Sequence, residues 1–97
     1  MAHFVTQSTP NPNSLKITTT LGPFIDDGMV AAASLDEAED TPLAERLLHV
    51  AGVTSVLIMP DFLTVSKQPA AEWALVLPKV KHVLADHFDV TLDEDDG

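Results

Sequence analysis

Four histidines, 15 carboxylates and a scatter of serines are the side chains here that could move a proton, attack a carbonyl or hold a metal. Their spacing supports none of these. His82 and His87 stand five residues apart, which puts them on different faces of a helix, and His3 and His49 lie in other segments. A helical zinc pair needs two histidines at i and i+4. Asp26-Asp27-Gly28 lacks the regular oxygen spacing of a calcium loop. Ser14, Ser34, Ser55 and Ser66 have no histidine or aspartate at a readable distance, and no nucleophile elbow, Walker loop or dinucleotide fingerprint occurs. Cysteine is absent, which removes disulfides, thiolate metal sites and cysteine-ligated iron–sulfur clusters. No catalytic residue, no metal ligand and no cofactor is expected. Binding is the chemistry left.

Two places suit binding. The first is Thr9-Pro10-Asn11-Pro12-Asn13-Ser14. Each proline fixes its own φ and pushes the residue before it out of helical conformation. The segment is either a rigid corner that sets strand register or a preorganised recognition loop offering amides and a hydroxyl to a partner. Asn11, held between two prolines, is expected to project outward, whereas Asn13 and Ser14 are expected to close local bonds at the start of a strand. The second place is Leu57, Met59, Asp61 and Phe62, around a Pro60-Asp61 turn. They form either an apolar patch on an open sheet face or a surface that loops or the tail cover. Trp73 could stack a ligand, but its helical spacing places it in the core.

These residues need elements to hold them. Ninety-seven residues make one domain, burying roughly 60–65% of the unfolded surface. We expect strands at 4–7 and 15–19, and a short extended segment at 29–33. Ser34 to Glu37 has capping-box spacing. Thr41-Pro42 reads as a capping hydroxyl followed by proline at the first helical position, and Gly52 as the C-terminal cap. Strands over 53–59 and 62–67, joined by a two-residue turn, would pair Ile58 with Leu63, Val56 with Val65 and Thr54 with Lys67 on one face. The other face would pair Met59 with Phe62, Leu57 with Thr64 and Ser55 with Ser66. A helix over 71–88 carries Trp73, Leu77, Val80, Leu84 and Phe88 on one stripe, with Pro78 as a kink or as the end of a distorted first turn. The fold class is α+β: an antiparallel sheet in the order ββαββα with both helices on one face. Val56, Ile58, Leu63 and Val65 should face Leu43, Leu47, Trp73, Val80 and Leu84.

Against 15 acidic residues stand 5 basic ones, a net charge of -10. Nucleic acid and anionic membrane are therefore poor partners. Six carboxylates lie in Asp26–Asp40 and six in Asp86–Asp96. We expect one domain over 1–90 and a solvating, disordered acidic tail over 91–97. The tail could instead attract a basic partner, and a salt-accumulating host would also favour this acidity. With no basic, apolar leader in MAHFVTQST, a soluble cytoplasmic protein is expected.

The run Thr9-Pro-Asn-Pro-Asn-Ser-Leu-Lys16 closely resembles the opening of the N-terminal domain of Nfu/NifU-type iron–sulfur scaffold proteins. Pro42-Leu-Ala-Glu-Arg-Leu47 resembles that family's first helix. Gly52-Val53, Val56 and Pro60-Asp-Phe-Leu-Thr-Val65 resemble its hairpin, and Trp73 with Leu77-Pro78 the opening of its last helix. The resemblance spans roughly residues 3 to 88 and implies the fold and a place in cluster assembly. The full scaffolds assemble and transfer clusters on a second, Cys-x-x-Cys domain, and we expect no such domain here. The expectation is a non-catalytic domain that binds a protein partner of the iron–sulfur pathway. The alternative is a small-ligand domain using residues 9–14.

Overall fold

The computed structural model describes residues 4–90. The first hairpin pairs β1 (Phe4–Ser8) with β2 (Ser14–Thr19), from Phe4 opposite Thr19 to Ser8 opposite Leu15. The extended segment expected at 29–33 is a three-residue strand, β3 (Val30–Ala32). A second hairpin joins β4 (Val53–Ile58) to β5 (Leu63–Lys67). All pairs are antiparallel and the sheet order is β1-β2-β5-β4-β3. Helices α1 (Pro42–Leu48) and α2 (Trp73–Phe88) complete the α+β fold. The expected acidic tail, 91–97, lies outside the described residues.

The second hairpin has the expected register over most of its length. Ile58 faces Leu63, Val56 faces Val65, Leu57 faces Thr64 and Ser55 faces Ser66. Met59 N–H donates to Phe62 O at 2.8 Å and closes the turn. The far end differs. A register shift between Val53 and Ser55 pairs Lys67 with Val53, not with Thr54. The extra residue, Thr54, sits in a bulge. Its hydroxyl donates to Ser66 O at 3.3 Å.

That turn contains Gly52, which is not the helix cap. α1 ends three residues earlier, with His49 as its C-cap. Gly52 has φ +95°, and a Cβ there would come within 3.0 Å of Ala71 Cβ and Val76 Cγ2. Backbone conformation and space both require glycine. At the other end of α1, Pro42 opens the helix as expected, but the Thr41 side chain makes no capping bond. Thr41 O accepts from Glu45 N–H instead, at 3.0 Å. The turn before it follows capping-box logic: Glu37 N–H donates to Ser34 Oγ, and Glu37 Oε1 accepts from Ala33 N–H.

Helix α2 runs through Pro78 without a break. Its start is tight, since Leu75 and Val76 N–H both donate to Glu72 O. It ends with Asp89 in the left-handed region, φ 57° and ψ 49°. Val90 N–H reaches Ala85 O at 2.9 Å and Asp89 N–H reaches Asp86 O, a Schellman closure.

One core lies between sheet and helices. Ile17, Val56, Ile58, Leu63 and Val65 on the sheet are buried against Leu43, Leu47, Val76, Val80 and Leu84. Each such aliphatic side chain contributes roughly 1.5–3 kcal/mol of burial free energy. Phe88 closes the end of this core, with its ring centroid 6.1 Å from Phe4 and 5.6 Å from Phe24. The expected core place of Trp73 needs correcting: the indole is half-buried at the core's rim. Its polar edge has a partner elsewhere, described below.

Candidate functional site

The loop between β1 and β2 supplies acceptors for the Asn11, Asn13 and Ser14 amides from within itself. Thr9 Oγ1 accepts Asn11 N–H at 3.1 Å, and its proton is shared between Asn11 O at 2.8 Å and Ser14 O at 3.1 Å. Asn11 Oδ1 accepts Asn13 N–H at 2.9 Å, and Ser14 N–H donates to Asn11 O at 3.0 Å. Pro10 and Pro12 have no N–H to place. Two expectations change. Asn11 does not project freely, because its carboxamide oxygen folds back in an Asx turn. Nor are amides on display: what the tip offers is the exposed Pro10 and Pro12 rings and the Asn11 side-chain nitrogen.

The same loop is fastened to the rest of the fold from two sides. Lys67 N–H donates to Asn13 O at 2.8 Å, and Lys67 Nζ donates to Asn13 Oδ1 at 3.1 Å and to Gln68 O at 3.3 Å. Ser14 Oγ lies 2.7 Å from Ser66 Oγ. From α2, Trp73 Nε1 donates to Pro12 O at 3.1 Å, and Lys67 Nζ sits 5.7 Å from the indole centroid. Lys67 and Ser14 are each only 9% exposed, so these bonds are worth more than surface contacts. The loop is therefore both a corner and a rigid projection.

Thr9, Pro10, Asn11 and Asn13 gather at this end of the sheet. Met59, Asp61 and Phe62 lie at the other end of β5, roughly 17 Å away at the rise of an extended strand. There Lys16 Nζ sits 4.7 Å above the Phe62 ring, and Phe24 N–H donates to Pro60 O at 3.1 Å. Asp61 is exposed, while Met59, Phe62 and Leu57 are half-buried. Leu57 lies between the two groups. It lines a groove of about 360 Å³ on the open sheet face with Ala31, Ala33, Ser55, Thr64, Ser66 and Glu37. None of residues 9–14 lines this groove. The expected site residues thus form two separate clusters and a bridge, not one patch.

Sequence reasoning missed Lys67, Trp73 and Ser66 as the parts that hold the loop. The signal was available for Trp73, since an indole at the edge of an apolar stripe needs a partner for its N–H. Among the described residues no group of three or more histidines and carboxylates could hold a metal ion. With no cysteine in the chain, these residues do not fit an iron–sulfur cluster. No helix among the described residues is long and apolar enough to cross a membrane.

A family model described as the N-terminal domain of scaffold protein Nfu/NifU matches residues 4–91. The chain belongs to this family. The family is an N-terminal domain of iron–sulfur cluster scaffold proteins. A relative from Drosophila willistoni, named NFU1 iron-sulfur cluster scaffold homolog, mitochondrial, is 42% identical over 83 residues, 86% of this chain. The Drosophila erecta protein of the same name is 40% identical over the same length. The chain spans only 29% of each of these relatives. Among solved structures, the crystal structure of Staphylococcus aureus protein SAV1430 superposes with a TM-score of 0.72 at 32% identity. It covers 87% of this chain and 99% of its own. The NifU-like protein of Saccharomyces cerevisiae gives a TM-score of 0.77 at 25% identity, covering 97% of this chain and 87% of its own.

Proposed function

We propose that this Nfu/NifU N-terminal domain is a non-catalytic interaction module that docks a protein of the iron–sulfur pathway during cluster assembly or delivery. The observation that carries the reading is the fastening of the 9–14 loop by Lys67, Ser66 and Trp73. A projection whose Asn11, Asn13 and Ser14 amides are already bonded and whose backbone is held from two elements loses little entropy on binding. Pro10, Asn11 and Pro12 form its tip, with Thr9 and Asn13 beneath. The Met59–Asp61–Phe62 turn and Leu57 form a second contact, reached by a partner long enough to follow β5. The chain's lack of cysteine supports a role in presenting a partner and not in holding the cargo.

The test is a titration of the isotope-labelled chain with Cys-x-x-Cys cluster-domain proteins from the same organism, followed by amide chemical shifts. Saturable shifts at Asn11, Asn13 and Ser14 are expected. Saturable shifts confined to residues outside 9–14 would overturn the loop as the docking element. No saturable shift with any cluster-assembly protein of that organism would overturn the function.

A further inference from the structure

The groove on the open sheet face is a product of residue size. Ser55 on β4 pairs with Ser66 on β5, which pairs in turn with Ser14 on β2, so a row of serines crosses three strands. In the next row Leu57 lies between Thr64 and Ala31. Short side chains around Leu57 leave the groove of about 360 Å³. That volume is at the low end for a small-ligand site and has room for one long side chain.

The lining includes one charged residue, and its carboxylate is held in place. Glu37 Oε1 accepts from Ala33 N–H at 3.1 Å, while Glu37 N–H donates to Ser34 Oγ. Among the described residues Glu37 Oε2 has no hydrogen bond and no ion pair. The Ser55 and Thr64 hydroxyls, which line the same groove, also make no hydrogen bond among the described residues. Lys16, opposite Thr64 in the sheet, does not supply the missing charge, because its Nζ is turned to the Phe62 ring at 4.7 Å. Between Lys16 and Arg46 the sequence has seven carboxylates and no basic residue, so the field here is negative.

We propose that this groove seats an arginine side chain of the docked protein. The methylenes lie on Leu57, Ala31 and Ala33, and the guanidinium meets Glu37, Ser55 and Thr64. This rests on the docking role proposed above and gives the partner's chemistry. The charge to be matched is a fixed carboxylate oxygen, so the occupant is a cation. A carboxylate and two hydroxyls offer three acceptors to a planar group with five N–H donors, whereas an ammonium is a point charge. The apolar stem of arginine suits the alanine and leucine floor. A neutral occupant would cover Glu37 Oε2 and leave it unpaired, at a cost in desolvation.

The probe is N-acetyl-L-arginine amide, titrated into the full isotope-labelled chain and followed by amide chemical shifts. Saturable shifts at Ala31, Ala33, Glu37 and Leu57 are expected, with a dissociation constant of roughly 1–10 mM. The uncharged isostere N-acetyl-L-citrulline amide should bind about tenfold more weakly, the loss of one charge-assisted hydrogen bond. Glu37→Gln keeps an acceptor for Ala33 N–H and should also cost about tenfold. Glu39→Gln removes a charge from the same turn outside the groove and should change affinity by less than about twofold. Should Glu37→Gln fail to fold, Ala31→Leu fills the groove from an exposed position and should abolish the shifts. The proposal is overturned by an absence of saturable shifts, by shifts confined to residues outside the groove, or by equal binding of citrulline. An equal loss in the Glu37 and Glu39 variants overturns it too, as does a Glu37→Gln or Ala31→Leu chain that binds like the wild type. The probe needs no pathway protein, so failure at the groove is read separately from failure of the loop to dock a cluster-domain protein.

Discussion

Asn11 is exposed, yet its side-chain oxygen does the work of a backbone carbonyl by closing a turn on Asn13 N–H at 2.9 Å. Removing it leaves that amide to water in a loop that has few other ways to hold its shape. Asn11→Ala should lower the unfolding free energy by about 0.5–1.5 kcal/mol, as for one net hydrogen bond. A urea melt checks it: a change near zero would mean that the two prolines alone set the turn. At this scale the sequence was partly legible. Asn13 and Ser14 are structural, but not through the expected local bonds: their side chains reach Lys67 Nζ and Ser66 Oγ, 54 and 52 positions away. Asn11 was misread, since whether its oxygen finds Asn13 depends on the backbone that Pro12 imposes between them. Buried lysines were also hard to read. Lys81 is 4% exposed although it lies off the apolar stripe of its helix, whereas alternation does put Lys67, 9% exposed, on the core face of β5 without showing what its ammonium would bond.

Among the elements, hydrophobic alternation fixed faces better than ends. It placed Val56, Ile58, Leu63 and Val65 together on the core side, and the tight turn closed by Met59 and Phe62 kept their register. It could not show the bulge at Thr54, because alternation continues unchanged across one extra residue at a strand end. The helical stripe on α2 was rotated slightly in the reading. Val76, Val80 and Leu84 form its buried centre, leaving Trp73 at the rim, where its N–H can reach Pro12 O. Trp73→Phe keeps an aromatic ring on that rim but removes the donor. Stability should fall by about 1 kcal/mol. The amide of Lys67, bonded to Asn13 O, should exchange faster with solvent because the loop is then held from one side only. Unchanged exchange at Lys67 would show that the β5 contacts suffice.

For the whole molecule, charge is the dominant surface property, and family membership was legible because four runs of residues match in order along the chain. Among the described residues little of this charge is paired. Arg46 and Asp86 form an ion pair at 2.6 Å between α1 and α2, with both side chains largely exposed, so screening it costs little. Screening the repulsion among 15 carboxylates gains more. Added sodium chloride should therefore raise the urea midpoint, by the equivalent of about 1 kcal/mol between low and physiological ionic strength. A falling midpoint would mean that attractive pairs outweigh the repulsion.

The central seam of the sheet has a consequence for how the chain is made. β2 leaves the ribosome early, but its inner neighbour β5 follows about fifty residues later, as Ser14 to Ser66 and Asn13 to Lys67 span 52 and 54 positions. The indole that anchors Pro12 arrives later still, 61 positions on. During synthesis the first hairpin must wait in solution with one face of Ile17 uncovered, and contacts this distant in sequence form slowly. The proline-asparagine loop reaches its final shape only once the last helix has emerged. A nascent chain stalled before Trp73 would display the loop's residues without its geometry, so a partner that reads that geometry would engage only finished molecules.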